Sequence, residues 1–278
     1  MSVFSKKKTE AAALRASELR YTIGDNLSFA AAEAYKLLRT NIEFSLPNEK
    51  KCRIIGVTSG MRGEGKTTTA INLAYSFAQS GKHVLLLEAD MRLPTIAKRL
   101  SIAGTPGLSN LLVGLCTGGE VLQESGLLPG LYVAVAGDIP PNPAELLGSE
   151  QMEVSMRALS QNFDFIIMDL PPVNVVSDAL VASKLVNGMI VVVRQDYSSR
   201  QSVSEAMRHL KILDTKVLGF VMTRAGERNK SYQYKKYGKK YGYGYDSDYA
   251  YEYSNSGQRT DSSKAGTRER GKETKDKT

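Results

Sequence analysis

The sequence predicts an α/β fold in which a mostly parallel sheet carries helices on both faces. Short apolar runs alternate along the chain with helical segments of ten or more residues, a pattern typical of parallel strands joined by crossover helices. The first apolar run, 54–57, breaks into a glycine-rich turn, and an amphipathic segment with Ile71, Leu73, Ala74 and Phe77 follows it. A strand, a glycine-rich turn and a helix in this order predict a phosphate-binding loop at the carboxyl end of the first strand.

The other elements follow from the same patterns. Residues 1–27 are polar and weakly patterned, so we expect a flexible N-terminal arm. The segment Ser28–Ile42 repeats apolar residues at helical spacing and predicts a helix. Further strands are predicted at His83–Asp90, Leu131–Ala136, Phe163–Asp169, Gly188–Val193 and Val217–Met222, and further helices at about 149–160, 177–186 and 199–213.

The composition changes abruptly after Arg224, which divides the chain into the arm, one globular domain (28–228) and a tail (229–278). The tail holds nine of the 14 tyrosines among lysine, glycine and aspartate, with almost no aliphatic residue: Tyr232, Tyr234, Tyr237, Tyr241, Tyr243, Tyr245, Tyr249, Tyr251 and Tyr253. Such a segment buries too little apolar area to offset the entropy of ordering it. We therefore expect a disordered, tyrosine-rich C-terminal tail.

Composition also restricts the location and the kind of site. The apolar runs are far shorter than the ~18 residues that a membrane span requires, and no apolar core follows the N-terminal MSVFSKKKTE to make a secretory signal. Cys52 and Cys116 are isolated, as are His83 and His209, which disfavours a disulfide framework or a metal site of histidine and cysteine. We expect a cytoplasmic protein that reaches a membrane only through a partner.

The glycine-rich turn carries a complete phosphate-site motif. Gly60, Gly65, Lys66 and Thr67 fit G-x-x-x-x-G-K-[ST], and Gly63, Glu64 and Thr68 complete the expected nucleotide-binding segment. In this motif backbone N–H groups close around phosphate oxygens at a helix N-terminus. Lys66 would reach the β- and γ-phosphates, and the Thr67 hydroxyl would ligate Mg²⁺. The sequence thus predicts a P-loop NTPase fold that binds a nucleoside triphosphate with magnesium.

Carboxylates end two of the predicted strands. Glu88 and Asp90 close the second strand, and Asp169 closes the strand that precedes Pro171 and Pro172. Because ligands bind at the carboxyl ends of parallel strands, all three should lie beside the phosphate loop. Asp169 is the expected magnesium carboxylate, with Asp90 beside it. Glu88 and Asp90 should point to one face, so that one anchors the magnesium shell and the other orients or deprotonates a hydroxyl.

The first helix carries Glu33, Lys36 and Arg39 three residues apart on one side. This spacing favours ion pairs on a solvated helix face over an interface with another chain.

Five segments in order resemble the bacterial tyrosine kinases of capsule and exopolysaccharide synthesis, in the form whose cytoplasmic kinase is separate from its transmembrane activator. These segments are EAYKLLR, SGMRGEGKTT, LLLEADMR, FIIMDLPP and the tyrosine cluster. The resemblance places Walker A on the glycine-rich turn and Walker B on Asp169 and Pro172. It places the motif Asp-x-Asp-x-Arg on Glu88, Asp90 and Arg92, where glutamate replaces the first aspartate and makes its role as a base less certain.

This resemblance implies an ATP- and Mg²⁺-dependent autokinase that phosphorylates the tyrosine tail of a neighbouring copy and thereby regulates polysaccharide polymerisation and export. It also implies a homo-oligomeric ring formed through Glu33, Lys36 and Arg39, where lysine replaces a bidentate arginine. The implied partners are the cytoplasmic tail of a transmembrane adaptor, which recruits the kinase to the inner face of the membrane, and a cognate tyrosine phosphatase.

Two other functions compete with this interpretation. A switch ATPase related to the partition and division-site ATPases would share the sheet, but their signature lysine falls on Met61 and they lack a tyrosine tail. A single-stranded nucleic acid could stack on the tyrosines of a basic tail, which would leave the phosphate site unused. We therefore expect no nucleic-acid partner. Neither Thr215-Lys216 nor Asn229-Lys230 continues into a guanine-recognition motif, so ATP is favoured over GTP.

Overall fold

A computed structural model describes residues 23–46 and 52–225, and the predicted arm up to residue 22 and the nine tail tyrosines lie outside the described residues. The strands are β1 (Arg53–Ser59), β2 (Val84–Glu88), β3 (Gln123–Glu124), β4 (Leu131–Ala134), β5 (Phe165–Asp169), β6 (Gly188–Arg194) and β7 (Val217–Thr223). The α-helices are α1 (Phe29–Ser45), α2 (Lys66–Gln79), α3 (Ile96–Leu100), α4 (Leu108–Leu112), α5 (Pro143–Leu147), α6 (Glu150–Leu159), α7 (Asp178–Ala182) and α8 (Arg200–Ile212). Two 3-10 turns, Gly24–Asn26 and Ser183–Leu185, complete the order.

Within the described residues the strands form one sheet in the order β3-β4-β2-β5-β1-β6-β7. All neighbouring strands are parallel except β3 and β4. The predicted mostly parallel sheet is therefore confirmed. The sequence pattern missed β3, because a strand of two residues is too short to show a period.

Helices cover both faces of the sheet, and the alternating side chains of the central strands supply two cores. On one face Phe77 of α2 stacks on Phe165 of β5, with ring centroids 3.9 Å apart. On the other face α6, α7 and α8 bury residues such as Met156 and Leu210 against the sheet. A strand buried on both faces reads as a continuous apolar run, which explains why β2 and β5 were recognisable in the sequence.

The folded part of the chain begins before the predicted helix. Ile23 is buried, and the Gly24 N–H donates to Oδ1 of Asn72 at 3.0 Å. The Tyr75 hydroxyl hydrogen-bonds to the Asp25 carboxylate. Residues 23–27, which the sequence assigns to a flexible arm, are thus packed against α2. The two apolar residues of this segment, Ile23 and Leu27, are too few to show a period in the sequence.

The topology brings the predicted site residues to one edge. In the register of the parallel strands, Asp169 lies beside Val57 on one side and beside Glu88 on the other. The phosphate loop leaves β1 at the same edge and leads directly into α2.

No helix in the described ranges 23–46 and 52–225 has the length and apolarity to span a membrane.

Candidate active site

The phosphate loop turns on glycines with left-handed backbone angles. Gly63 has φ +80°, and Gly65, the residue before α2, has φ +100°. L-residues with a side chain rarely adopt these angles, so the turn favours glycine both at the motif position Gly65 and at Gly63, which the motif leaves open. The turn leaves the first N–H groups of α2 outside its own hydrogen-bond ladder, which makes an anion-binding end. The backbone therefore forms the cradle that the motif predicted.

Lys66 lies between two carboxylates at the start of α2. Its Nζ atom is 2.7 Å from Oδ2 of Asp90 and 3.6 Å from Oδ1 of Asp169. Burial alone would lower the pKa of Lys66, but the charges of Asp169 and Asp90 outweigh it and raise that pKa. Lys66 is therefore cationic at neutral pH, and the structure brings together the three charged residues that the sequence assigned to phosphate and magnesium.

Asp169 is almost completely buried, with 1% of its surface exposed, yet neither of its carboxylate oxygens accepts a hydrogen bond within the part of the chain that the structure describes. Burial raises its pKa, although the neighbouring Lys66 charge opposes the rise. A buried carboxylate without hydrogen bonds lowers the stability of the folded protein unless a cation is close to it. Two carboxylates and one ammonium leave a formal charge of about −1 at the site.

These residues fit a magnesium ion. Mg²⁺ prefers hard oxygen ligands and uses one or two carboxylates together with phosphate oxygens and water. The hydroxyl of Thr67 is buried beside the carboxylates and lies 3.4 Å from Lys66 Nζ. Thr67, Asp90 and Asp169 therefore supply the donor types that the sequence predicted for the ion.

Glu88 occupies a different position from the one that the sequence predicted. Its Oε1 atom accepts the N–H groups of Thr95 and Ile96, the latter at 2.7 Å, and Oε2 accepts that of Ala136 at 3.2 Å. Strand β2 ends at Glu88, so the alternation of side chains between the two faces of the sheet stops there. Glu88 and Asp90 therefore do not point to the same face, as the sequence analysis expected. Burial raises the pKa of Glu88 against these hydrogen bonds, which lower it. Glu88 holds the start of α3, whereas Asp90 faces the phosphate loop.

Arg92 makes a two-pronged ion pair that the sequence did not indicate. Its Nε and Nη2 atoms lie 2.8 and 3.0 Å from the two carboxylate oxygens of Asp178. Asp178 is fully buried at the start of α7, and a carboxylate at that position in a sequence is typical of an ordinary helix terminus. The pair ties the Asp90 loop to the chain that follows β5.

The outer side of the phosphate loop is held by Glu64, which is 1% exposed. Its Oε2 atom accepts the Met61 N–H at 2.8 Å, and Oε1 accepts the Ser198 hydroxyl. The Thr223 hydroxyl donates to the Glu64 carbonyl at 2.7 Å. The Glu64 side chain thus holds the loop through the Met61 N–H group, with support from Ser198 and from Thr223 at the end of β7.

Two arginines extend the site beyond the predicted residues. Arg194 donates to the Gly63 carbonyl at 3.1 Å, and Arg99 donates to the Thr68 hydroxyl at 3.1 Å. Burial lowers the pKa of Arg99, while the charges of Asp169 and Glu88 oppose this change. Both arginines lie far from the motif in sequence, so spacing gave no signal of them. They make the surroundings of the loop more positive than the motif alone predicts.

Glu33, Lys36 and Arg39, the three charged residues on one side of α1, make contacts within the chain. Lys36 Nζ lies 2.7 Å from Oε1 of Glu33, an ion pair with both side chains more than 40% exposed. Arg39 turns inward and donates to the Ser76 carbonyl at 2.6 Å. The ion pair expected from spacing is therefore present, whereas Arg39 connects α1 to α2.

Comparison with known proteins places this arrangement in a family. The protein-family model described as AAA domain matches residues 52–219 of this chain. Tyrosine-protein kinase YwqD of Bacillus subtilis is 35% identical over 209 residues, which cover 75% of this chain and 87% of that protein. The putative tyrosine-protein kinase CapB of Staphylococcus aureus is 32% identical over 213 residues, 76% of this chain and 92% of that protein.

Solved structures agree. The kinase domain of Escherichia coli tyrosine kinase ETK is similar with a TM-score of 0.70 at 30% identity, over 80% of this chain and 83% of that one. The chimerical protein CapA2B2 is similar with a TM-score of 0.65 at 34% identity, over 68% of this chain and 83% of that one. The septum site-determining protein MinD of Pyrococcus horikoshii, complexed with Mg-ADP, shares only the fold. Its identity is 22% and its TM-score 0.54, over 64% of this chain and 72% of that one. The similarity predicted from five short segments is confirmed, and the chain belongs to the family of bacterial tyrosine-protein kinases.

Proposed function

We propose that this chain is an ATP- and Mg²⁺-dependent tyrosine autokinase whose domain, residues 28–228, phosphorylates the tail tyrosines of a neighbouring copy. One observation carries the proposal: Lys66, Asp90 and Asp169 meet at a complete phosphate loop, in a chain whose tail holds nine tyrosines. A switch ATPase needs the first feature but has no use for the second. Membership of the tyrosine-protein kinase family supports the same choice.

Each residue has a role that its position supports. The backbone of Gly60–Thr68 cradles the phosphates, and Lys66 contacts the β- and γ-phosphates. Thr67, Asp90 and Asp169 would hold the magnesium ion, which would supply neutralisation of the charge on the transferred phosphoryl group. Phosphoryl transfer requires chiefly positioning and neutralisation, so these groups suffice for most of the catalysis.

The acceptor hydroxyl needs a hydrogen-bond acceptor that orients it and takes up its proton. The sequence named Glu88 for this role, but three backbone N–H groups already occupy its carboxylate. Asp90 is the other carboxylate at this strand end, and within the described residues it accepts only one backbone N–H group, that of Leu93 on Oδ1 at 3.2 Å, while Oδ2 lies 2.7 Å from Lys66 Nζ. We assign the orientation of the tyrosine hydroxyl to Asp90 and a positioning role to Glu88.

The family resemblance supports the wider setting. We propose that the kinase assembles into a homo-oligomeric ring through the exposed Glu33–Lys36 face of α1 and Arg39. A transmembrane adaptor would recruit it to the inner face of the membrane through its cytoplasmic tail, and a cognate phosphatase would reverse the modification. The regulated process would be the polymerisation and export of capsular polysaccharide or exopolysaccharide.

The test is label transfer by the purified full chain in the presence of a cytoplasmic fragment of a candidate adaptor. With Mg²⁺ and ATP labelled in the γ-phosphate, the proposal predicts phosphotyrosine in the acid hydrolysate of the protein. Neither the Lys66→Met chain nor a sample without Mg²⁺ should show it. Release of labelled free phosphate without any phosphotyrosine, with the adaptor fragment present, would contradict the proposal and favour the switch ATPase.

A further inference from the structure

Strand β7 forms an edge of the sheet with apolar side chains open to solvent. Within the described residues it pairs with β6, and its other side carries no strand. Phe220 and Met222 are 51% and 60% exposed, and their spacing of two places both side chains on one face. Exposed edges with apolar side chains are sites where another extended segment can add as a strand. This edge therefore offers both backbone and side-chain contacts to an extended ligand.

A large cleft runs beside this edge to the phosphate loop. It has a volume of about 1560 Å³, with β7 from Phe220 to Thr223 on one side and the small residues Ala31 and Ala34 of α1 on the other. At one end it reaches Gly63 and Gly65. Val221 belongs to the core on the α1 side of the sheet, so Phe220 and Met222 point to the opposite face. An extended segment that adds to β7 would therefore turn one face to these two side chains and the other face to the cleft.

The charges that line the cleft favour an acidic ligand. Among the described residues that line it, three are arginines, Arg99, Arg194 and Arg224, and one is a carboxylate, Glu64. Glu64 is buried and hydrogen-bonded within the phosphate loop, so it does not offset the arginines at the cleft surface. The arginines therefore give the lining of the cleft a positive charge.

The tail contains one segment that matches these features. Residues 241–253, YGYGYDSDYAYEY, carry two aspartates and one glutamate and no lysine or arginine, a formal charge of −3. The preceding residues 229–240 carry five lysines and no carboxylate. Within 241–253 the tyrosines alternate with other residues in two triplets, so an extended strand would present each triplet on one face.

We propose that the acidic segment Tyr241–Tyr253 of a second copy adds as a strand to the edge of β7, with two tyrosines of a triplet on Phe220 and Met222. Both strands advance by the same distance every two residues, so the third tyrosine lies one step beyond Met222, at the end of β7 where the Thr223 hydroxyl contacts the phosphate loop. This inference rests on the proposed function, because it names the docking site for the tail that the kinase modifies.

The test separates the enzyme copy from the acceptor copy. Tagged Lys66→Met full chain serves as the acceptor, and untagged active full chain serves as the enzyme with γ-labelled ATP. Phe220→Ser with Met222→Ser in the enzyme copy should slow labelling of the acceptor by about tenfold, as expected for the loss of two apolar anchors, with the KM for ATP unchanged. The same pair in the acceptor copy should change nothing. Leu115→Ser with Ile139→Ser, two residues that are also exposed, is the matched control.

A second acceptor keeps the test independent of the folding of the enzyme variant. This acceptor carries two exchanges of neighbouring residues, Tyr243→Gly with Gly244→Tyr and Tyr251→Glu with Glu252→Tyr. The exchanges preserve the composition and charge of the segment but break the alternation of its tyrosines. Slower labelling of this acceptor by the unsubstituted enzyme supports the strand. Equal labelling in both experiments would overturn the docking site alone, whereas labelling confined to the enzyme copy would contradict transfer to a neighbouring copy and with it the proposed function. Absence of phosphotyrosine with unsubstituted enzyme and acceptor would instead overturn the proposed function.

Discussion

The Nζ atom of Lys66 lies 2.7 Å from Oδ2 of Asp90, so the first residue of the phosphate-loop helix is joined to the loop that follows the second strand. The same ammonium is 3.6 Å from Asp169 at the end of the fifth strand. One cation therefore holds the ends of three elements together. Because two buried carboxylates share it, the site keeps a negative charge that suits a divalent ion beside a polyphosphate.

Replacing Asp169 with asparagine should stabilise the protein and strongly reduce its activity. Burial raises the pKa of Asp169 above its ordinary value of 3.8, so the folded state binds its proton more tightly than the unfolded state. The carboxylate therefore costs stability as the pH rises through the folded pKa, and asparagine removes that cost. Loss of a magnesium ligand should lower phosphoryl transfer by about 10²-fold or more.

Thermal unfolding of both proteins across a series of pH values, without nucleotide, checks this prediction. The melting temperature of Asp169→Asn should exceed that of the parent at pH 7, and the difference should shrink toward acid pH. The exposed Asp214→Asn is the control. A less stable asparagine variant with no dependence on pH would contradict the assignment of Asp169 as a strained buried carboxylate.

Removing the Glu88 carboxylate should cost stability. Glu88→Ala leaves three backbone N–H groups, those of Thr95, Ile96 and Ala136, without their acceptor. The unfolding free energy should fall by about 3 kcal/mol or more, since each unpaired buried donor is expensive. Urea denaturation measures it, with the exposed Glu153→Ala as control. An unchanged urea midpoint together with lost kinase activity would restore Glu88 as the base.

Arg92 and Asp178 should show energetic coupling. Asp178 is fully buried and Arg92 is 42% exposed, so solvent weakens the pair and a coupling of about 1–2 kcal/mol is expected. A double-mutant cycle with Arg92→Ala, Asp178→Ala and the double variant, followed by urea unfolding, yields this value. Arg92→Ala alone should be destabilising because it leaves a buried carboxylate unpaired. Additive single effects would show that the pair contributes nothing beyond its parts.

The α1 face should control assembly. Glu33 and Lys36 are exposed, so Glu33→Ala with Lys36→Ala should reduce the oligomer mass while leaving the thermal stability of the single copy nearly unchanged. Light scattering coupled to gel filtration measures the mass, with Glu43→Ala on the same helix as control. Arg39→Ala is less informative, because Arg39 also donates to the Ser76 carbonyl. An unchanged oligomer mass in the double variant would place the ring interface elsewhere.

The sequence predicted the parts of the site that follow from short-range pattern. Lys66 and Thr67 lie in a contiguous motif, and Asp169 ends an apolar strand, so their meeting at one edge follows from a parallel sheet. Glu88 was misplaced because alternation holds only inside a strand, and β2 ends at that residue. The contacts of Arg99 with Thr68 and of Arg92 with Asp178 join residues 31 and 86 positions apart, and periodicity carries no information about such pairs.

The most direct test of the central claim is the intact mass of the full chain after co-expression with a cytoplasmic fragment of the candidate adaptor. The account predicts several additions of one phosphate each, absent from Lys66→Met, and peptide mapping should place them between Tyr232 and Tyr253. An unmodified tail in a preparation that still hydrolyses ATP would contradict the autokinase and identify the chain as a switch ATPase.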